Sequence, residues 1–159
     1  MATAPTQPHR NNFLEPEPHI VARLQQALAG MSPAVQVLTG AELAGIKEAA
    51  QRTPAVHVIW GGFRLLESRA DGRQARLEHT WYVVAAVRNV ANTKAGAAAR
   101  ADAGALAARA GAALMGFRPP GVAGPLRMGA TQSAGYNAGF MYLPLAFFVE
   151  THFHAAPTN

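Results

Sequence analysis

The apolar positions of the chain follow two periods. Ile20, Val21, Leu24, Ala27 and Leu28 recur at helical spacing and Gly30 is a natural stop, which predicts a helix over residues 19–29 with Pro18 suited to its first turn. Residues 34–38 (AVQVL) read as a short strand. Thr39 followed by Glu42 has capping-box spacing and predicts a helix over residues 41–51, ended by Pro54. Residues 55–60 (AVHVIW) are apolar on both parities, as a central strand would be. Gly61 and Gly62 break or bulge it, and the chain continues extended over residues 63–69. Asp71-Gly72 is the strongest hairpin signal, a pair that accepts the positive φ values of a tight type I′ turn. The return strand spans residues 73–88.

A polar loop over residues 89–95 leads into an alanine-rich helix over residues 97–115. Leu106, Ala110, Ala113 and Leu114 form its stripe. Gly104 and Gly111 each cost about 1 kcal/mol against alanine, which points to close packing as their reason. A rigid turn (117–124), a short strand (126–131) and a loop (132–138) follow. The last stretch, residues 139–153, is the longest apolar run. Met141, Leu143, Leu145, Phe147, Val149 and Phe153 share one parity; Phe140, Tyr142, Ala146 and Phe148 share the other. It reads as a long strand covered on both faces, with the alanine-rich helix as its best cover and residues 79–88 and 126–131 as its pairing partners. Pro144 has no amide donor, so it belongs at a bulge or an unpaired edge, where a neighbouring subunit could dock.

These elements predict an α+β fold: a central, mainly antiparallel sheet with a long charged hairpin, packed by two to three helices. Residues 19–153 form one domain. Residues 1–18 hold four prolines and form a flexible arm whose apolar anchors for docking on a partner are Phe13 and Leu14. Residues 154–159 are a short tail.

Composition narrows the function by exclusion. Only 14% of the residues are charged, yet arginine outnumbers lysine twelve to two, and the net charge is +5. This balance favours acidic partners or a basic lining, while the absence of a dense basic block argues against a nucleic-acid stripe. With no cysteine there is no disulfide, cysteine nucleophile or thiolate metal site. The first residues lack the apolar core of a signal peptide, and no run approaches the roughly 20 apolar residues of a membrane span, so the expectation is a soluble, cytoplasmic protein with no membrane partner.

No phosphate-binding loop, nucleophile elbow or zinc-protease motif occurs. His152-x-His154 has metal-like spacing, but Glu150 is the one carboxylate on its parity, and the segment reads better as a polar strand end. His57 and His79 lie in apolar strands and read as buried structural histidines. The expectation is no enzyme, cofactor or metal. Charges gather instead on the hairpin, where Arg64, Glu67, Arg69, Asp71, Arg73, Arg76 and Glu78 fall within residues 64–78. They read either as a solvated edge that resists strand pairing or as a subunit contact. In the second reading Arg64, Arg69, Asp71, Arg73 and Arg76, with Pro144, are the interface candidates.

Over residues 55–153 the order of elements is familiar. A strand HTWYVVAAVRN (Trp81, Tyr82, Val83) leads to a helix ending LMGFRPPG (Leu114, Gly116, Pro119), then PLRM and a closing strand preceded by Tyr136. This resembles the Mu-type phage Gp37 family of tail proteins and, in element order, the tail terminators of long-tailed phages. The resemblance implies a virion protein that forms a ring of six subunits at the head-proximal end of the tail tube. It would be assembled in the host cytoplasm. Such a ring would stop polymerisation of the tube protein, meet sheath and neck or connector proteins, offer a docking surface to the head and let genome DNA pass through its lumen without specific binding. A head–tail connector and a small basic nucleic-acid-binding domain are the alternatives.

Overall fold

The computed structural model describes residues 11–89 and 93–158. Within them an open, mixed sheet of six strands is covered on one face by two long helices. The elements are α1 (Pro16–Leu28), β1 (Gln36–Thr39), α2 (Gly40–Ala44), β2 (Ala55–Ser68), β3 (Gln74–Arg88), α3 (Thr93–Leu114), β4 (Arg127–Gly129), β5 (Gly135–Asn137) and β6 (Phe140–His154). The sheet order is β1-β2-β3-β6-β4, with β5 also paired to β6. β1 runs parallel to β2, and every other pair is antiparallel.

β3 is the central strand, registered against β2 on one side and against β6 over its whole length on the other. That position explains its apolar residues on both parities. On the helix side Val56, Val58, Trp81, Val83, Ala85, Met141, Phe147 and Val149 are buried. They meet Ile20, Leu24 and Leu28 of α1 and the stripe of α3 that includes Ala103, Leu106, Ala110 and Leu114. The two helices also close each other's C-terminal turns. Arg23 Nε donates to the Ala113 carbonyl at 3.0 Å, and Arg109 Nε to the Ala27 carbonyl at 2.9 Å. Each guanidinium thereby satisfies a carbonyl without an intrahelical donor.

α3 lies on the sheet as expected from its small residues, but only one of its glycines explains this. An ideal Cβ on Gly111 would sit 3.1 Å from both Leu145 Cδ1 and Met128 Cε, whereas nothing lies within 4 Å of one on Gly104. The helix expected over residues 41–51 is also different. The capping box is present, with Thr39 N–H donating to Glu42 Oε2 at 2.7 Å, yet α2 ends at Ala44 and a single 3-10 turn follows at Glu48–Ala50. Tertiary bonds override the local pattern: Tyr142 Oη donates to Glu48 Oε1 and accepts from Gln51 Nε2, both at 2.6 Å. These bonds clamp residues 48–51 onto the sheet's second face. α1 begins at Pro16, three residues before the expected start.

Two turns exchange the roles expected of them. At Asp71-Gly72 only Gly72 has positive φ (68°); the chain makes a wider turn closed by Gly72 N–H to the Arg69 carbonyl, with Asp71 Oδ1 accepting from Arg73 N–H. The tight turn lies between β5 and β6, within what reads as loop, where Ala138 (φ 49°) and Gly139 (φ 83°) are both left-handed. Alanine is strained there because its Cβ crowds the backbone. Ala138→Gly is expected to raise stability by up to about 1 kcal/mol after the added entropy of the unfolded chain is subtracted. A urea titration checks this, and a lower midpoint would contradict the strain.

Candidate assembly surface

Beyond the helices, β2, β3 and β6 continue together as a three-stranded extension. The hairpin is therefore not a free arm: β6 braces it from Gln74↔His154 onward, and past the last pair Ala155 N–H donates to the Arg73 carbonyl. Only the turn projects. There Arg69 lies 3.5 Å from Asp71, and Arg73 Nη2 donates to the Ala156 carbonyl at 2.9 Å.

Arg64 and Arg76 belong to a different group, an ionic network on the face away from the helices. Glu78 is buried, and its two carboxylate oxygens are taken by Arg64 Nε at 2.7 Å and Arg127 Nη2 at 3.0 Å. Arg127 also stands 3.8 Å from Glu150, which Arg76 meets at 3.3 Å; Arg76 reaches Glu67 at 3.5 Å. The hydrogen bond from Arg64 is the largest influence on Glu78. With that from Arg127 it holds the carboxyl below its ordinary range, against the opposing effect of desolvation. The sequence pattern placed Glu78 among solvated tip charges and gave Arg127 and Glu150 no partner. Their convergence depends on cross-strand register (Arg64↔Glu78↔Glu150, Arg127↔Phe148), which no local pattern encodes.

The same face is flat and only half covered. The Tyr82 ring lies over Gly61, where an ideal Cβ would be 2.4 Å from it, and the Phe148 ring lies over Gly129. Between them is an open groove of about 500 Å³ lined by Gly61, Gly62, Arg64, Glu78, Thr80 and Arg127, among others. The expectation that both faces of β6 are covered thus holds only in part. Tyr142 is clamped under residues 48–51, while Pro144 and Phe148 are half exposed. Pro144 sits on the outer edge of β6, between the stretch paired with β5 and the stretch paired with β4. The outward amides of β6 share its parity, as the bond from Ala123 N–H to the Glu150 carbonyl shows, so the missing donor falls on an unpaired edge.

Phe13 docks within its own chain, against the helix-side face of the extension. Its ring stacks on Phe63 (5.1 Å), Phe153 (5.5 Å) and Trp60 (6.0 Å). Asn11 pairs with both backbone groups of His154, at 2.7 and 2.9 Å, as a neighbouring strand would. Leu14 stays exposed. Residues 1–10 of the expected arm lie outside the described residues. Beneath Phe13, His79 is buried; its Nδ1 accepts from Trp60 Nε1 at 3.1 Å, which leaves Nε2–H to donate to Thr151 Oγ1 at 2.9 Å. Burial lowers its pKa, so the ring is neutral at pH 7 and serves packing.

Among the described residues no group of three or more His, Cys, Asp or Glu could hold a metal ion, and no helix is long and apolar enough to cross a membrane. His152 and His154 stand 6.3 Å apart, with His152 within 3.5 Å of Gln74. What the surface offers is a charged turn, a flat aromatic and arginine-rich face, and two open sheet edges, which are means of contact with other proteins. A family model described as phage tail terminator protein matches residues 10–157. No curated protein matches the chain.

Proposed function

The chain belongs to the phage tail terminator family, a family of structural proteins, and we propose that it forms a ring at the head-proximal end of the tail tube. As a family member it is a component of the phage tail. The ring would stop tube polymerisation, contact sheath and neck proteins where the tail has them, present a docking surface to the head and let DNA through its lumen. Six subunits are the expected number, with assembly in the host cytoplasm before joining to the head.

The observation that carries the ring is the open sheet. Its two edges are different strands, β1 and β4, so the surfaces at the two sides of a subunit are different too. Identical subunits that join through two different surfaces make head-to-tail contacts, which either close into a ring or run on as a filament. The narrower likeness to the Mu-type family rests on the sequence features alone. The exposed turn (Arg69, Asp71, Arg73), the neighbouring Arg64 and Arg76, and the bare edge at Pro144 are the proposed contact residues.

Class averages of the purified protein in negative stain are expected to show six-fold rings, and adding the protein to polymerising tube subunits should shorten the tubes. Reversing the charge of Arg69 and Arg73 together is expected to convert the ring to monomers by light scattering. An unchanged ring removes the turn from the interface. Particles without rotational symmetry, with tubes of unchanged length, would overturn the functional reading.

A further inference from the structure

The two sides of the strand extension are finished differently. On the β6 side Asn11 takes both backbone groups of His154, and Ala123 N–H donates to the Glu150 carbonyl. On the other side β1 ends opposite Val58, and among the described residues β2 runs on from there with no strand beside it. Alternate residues of a strand turn their backbone groups to opposite neighbours. Ala155 N–H reaches the Arg73 carbonyl and Arg69 N–H the Gln74 carbonyl, so odd-numbered residues of β3 face β6 and even-numbered ones face β2. Arg64, opposite Glu78, therefore faces β3, while Phe63 and Leu65 turn their N–H and C=O groups outward. Among the described residues no backbone group bonds to them from that side. Their side chains are exposed as well, Phe63 by 48% and Leu65 by 59%.

Register shifts on either side of residues 63–65 kink this edge, which bars a long regular strand. A short one still fits, as β6 shows by pairing with the three-residue β4 and β5. The charges along the edge are already matched: Arg64 with Glu78, Glu67 with Arg76 and Arg69 with Asp71. An uncharged extended segment therefore suits it. Residues 2–7 (ATAPTQ) carry no charge. Pro5 has no amide donor, so the parity that can bond an edge is that of Ala2, Ala4 and Thr6, and Pro8 falls on the same parity and ends the run.

We propose that residues 2–7 of one chain add as a short strand to the bare β2 edge of a second copy, against Phe63 and Leu65. The place of Asn11 selects the second copy. It lies beyond β6, so a strand outside the β2 edge of the same chain would be about four strand spacings away, roughly 19 Å. The four residue steps from Asn11 back to Gln7 span at most about 14 Å. A chain therefore cannot fill its own edge, whereas an adjoining copy brings that edge to the side where Asn11 lies. Main-chain bonds to Phe63 and Leu65 give the contact its affinity, and the added strand shields their exposed side chains. The contact rests on the ring reading and deepens it, because segment and acceptor edge lie on opposite sides of a subunit, as head-to-tail closure requires.

The chain has no cysteine, so engineered pairs report without background. Leu65→Cys is combined in the full chain with Thr3→Cys or with Thr6→Cys, which changes no charge. Oxidation of at least one double variant is expected to give a ladder of linked chains up to the ring number, and each single variant no more than dimers. Leu65→Pro removes an outward amide that the β2–β3 ladder does not use, and is expected to weaken self-association roughly tenfold or more. Leu65→Ala keeps that amide and is expected to weaken it less. Links that form only within a chain, or equal losses in the two Leu65 variants, would overturn the added strand. Particles of ring mass with no ladder would overturn this contact and leave the ring reading standing. A monomer with no ladder would overturn both.

Discussion

Phe147→Ala is expected to destabilise the protein by about 3–5 kcal/mol, the range for removing a fully buried aromatic side chain. Phe147 has no exposed surface and stands opposite Trp81, which is equally buried, at the centre of the β3–β6 ladder. Strands on both sides and the helices above leave little freedom to collapse into the cavity. A domain of this size has roughly 5–15 kcal/mol of stability in total, so the variant should populate unfolded chains under mild denaturant. Phe148→Ala, one position on, is expected to cost less than half as much. Its ring lies on the open face over Gly129, where solvent already reaches it. Urea titrations of the pair compare the two faces directly. Equal losses would mean that the second face is as fully covered as the first.

The second large effect is expected when Glu78 loses both arginines. In the native network the folded-state pKa of Glu78 lies below that of the unfolded chain, about 4.3. Its contribution to stability is therefore present above that value and lost as the pH falls through the folded-state pKa. With Arg64 and Arg127 both replaced by alanine, desolvation alone remains and moves the folded-state pKa above the unfolded one. The sign then reverses: the variant is least stable at neutral pH and regains stability as acid protonates Glu78. A buried carboxylate left without partners costs about 1–3 kcal/mol or more at pH 7. For a chain of this size each kcal/mol corresponds to roughly 2–4 °C in Tm. Melting curves from pH 7 down to pH 4 should converge for the variant and the parent, and adding Glu78→Gln to the variant should restore most of the loss. Curves that stay parallel would show that Glu78 is not the group responsible.

The elements with strong periodicity were legible from the chain. α1, the hairpin strands, the alanine-rich helix and the final strand all lie where hydrophobic spacing places them, because that spacing records which face is buried. The pairing of the final strand with β3 and β4 was legible as well. α2 was readable in its capping box but not in its length, since its end is set by Tyr142 pulling Glu48 and Gln51 to the sheet. β5 was missed because three exposed residues carry no apolar period, and its turn uses alanine where asparagine or glycine would have signalled it. Gly104 and Gly111 look alike in sequence, and only the position of Leu145 and Met128 against α3 separates them.

By itself, then, the sequence determined the fold class and the core strands, which depend on local period that a linear pattern preserves. The likeness to the family rested on the order of elements and a few residues, and the family model bears it out. Tertiary structure alone decided which charges matter. It drew Arg64, Glu78, Arg127, Glu150 and Arg76 from four strands into one network and turned Phe13 back onto its own chain. Register and strand order made those choices, and both are fixed by contacts between residues far apart in the chain.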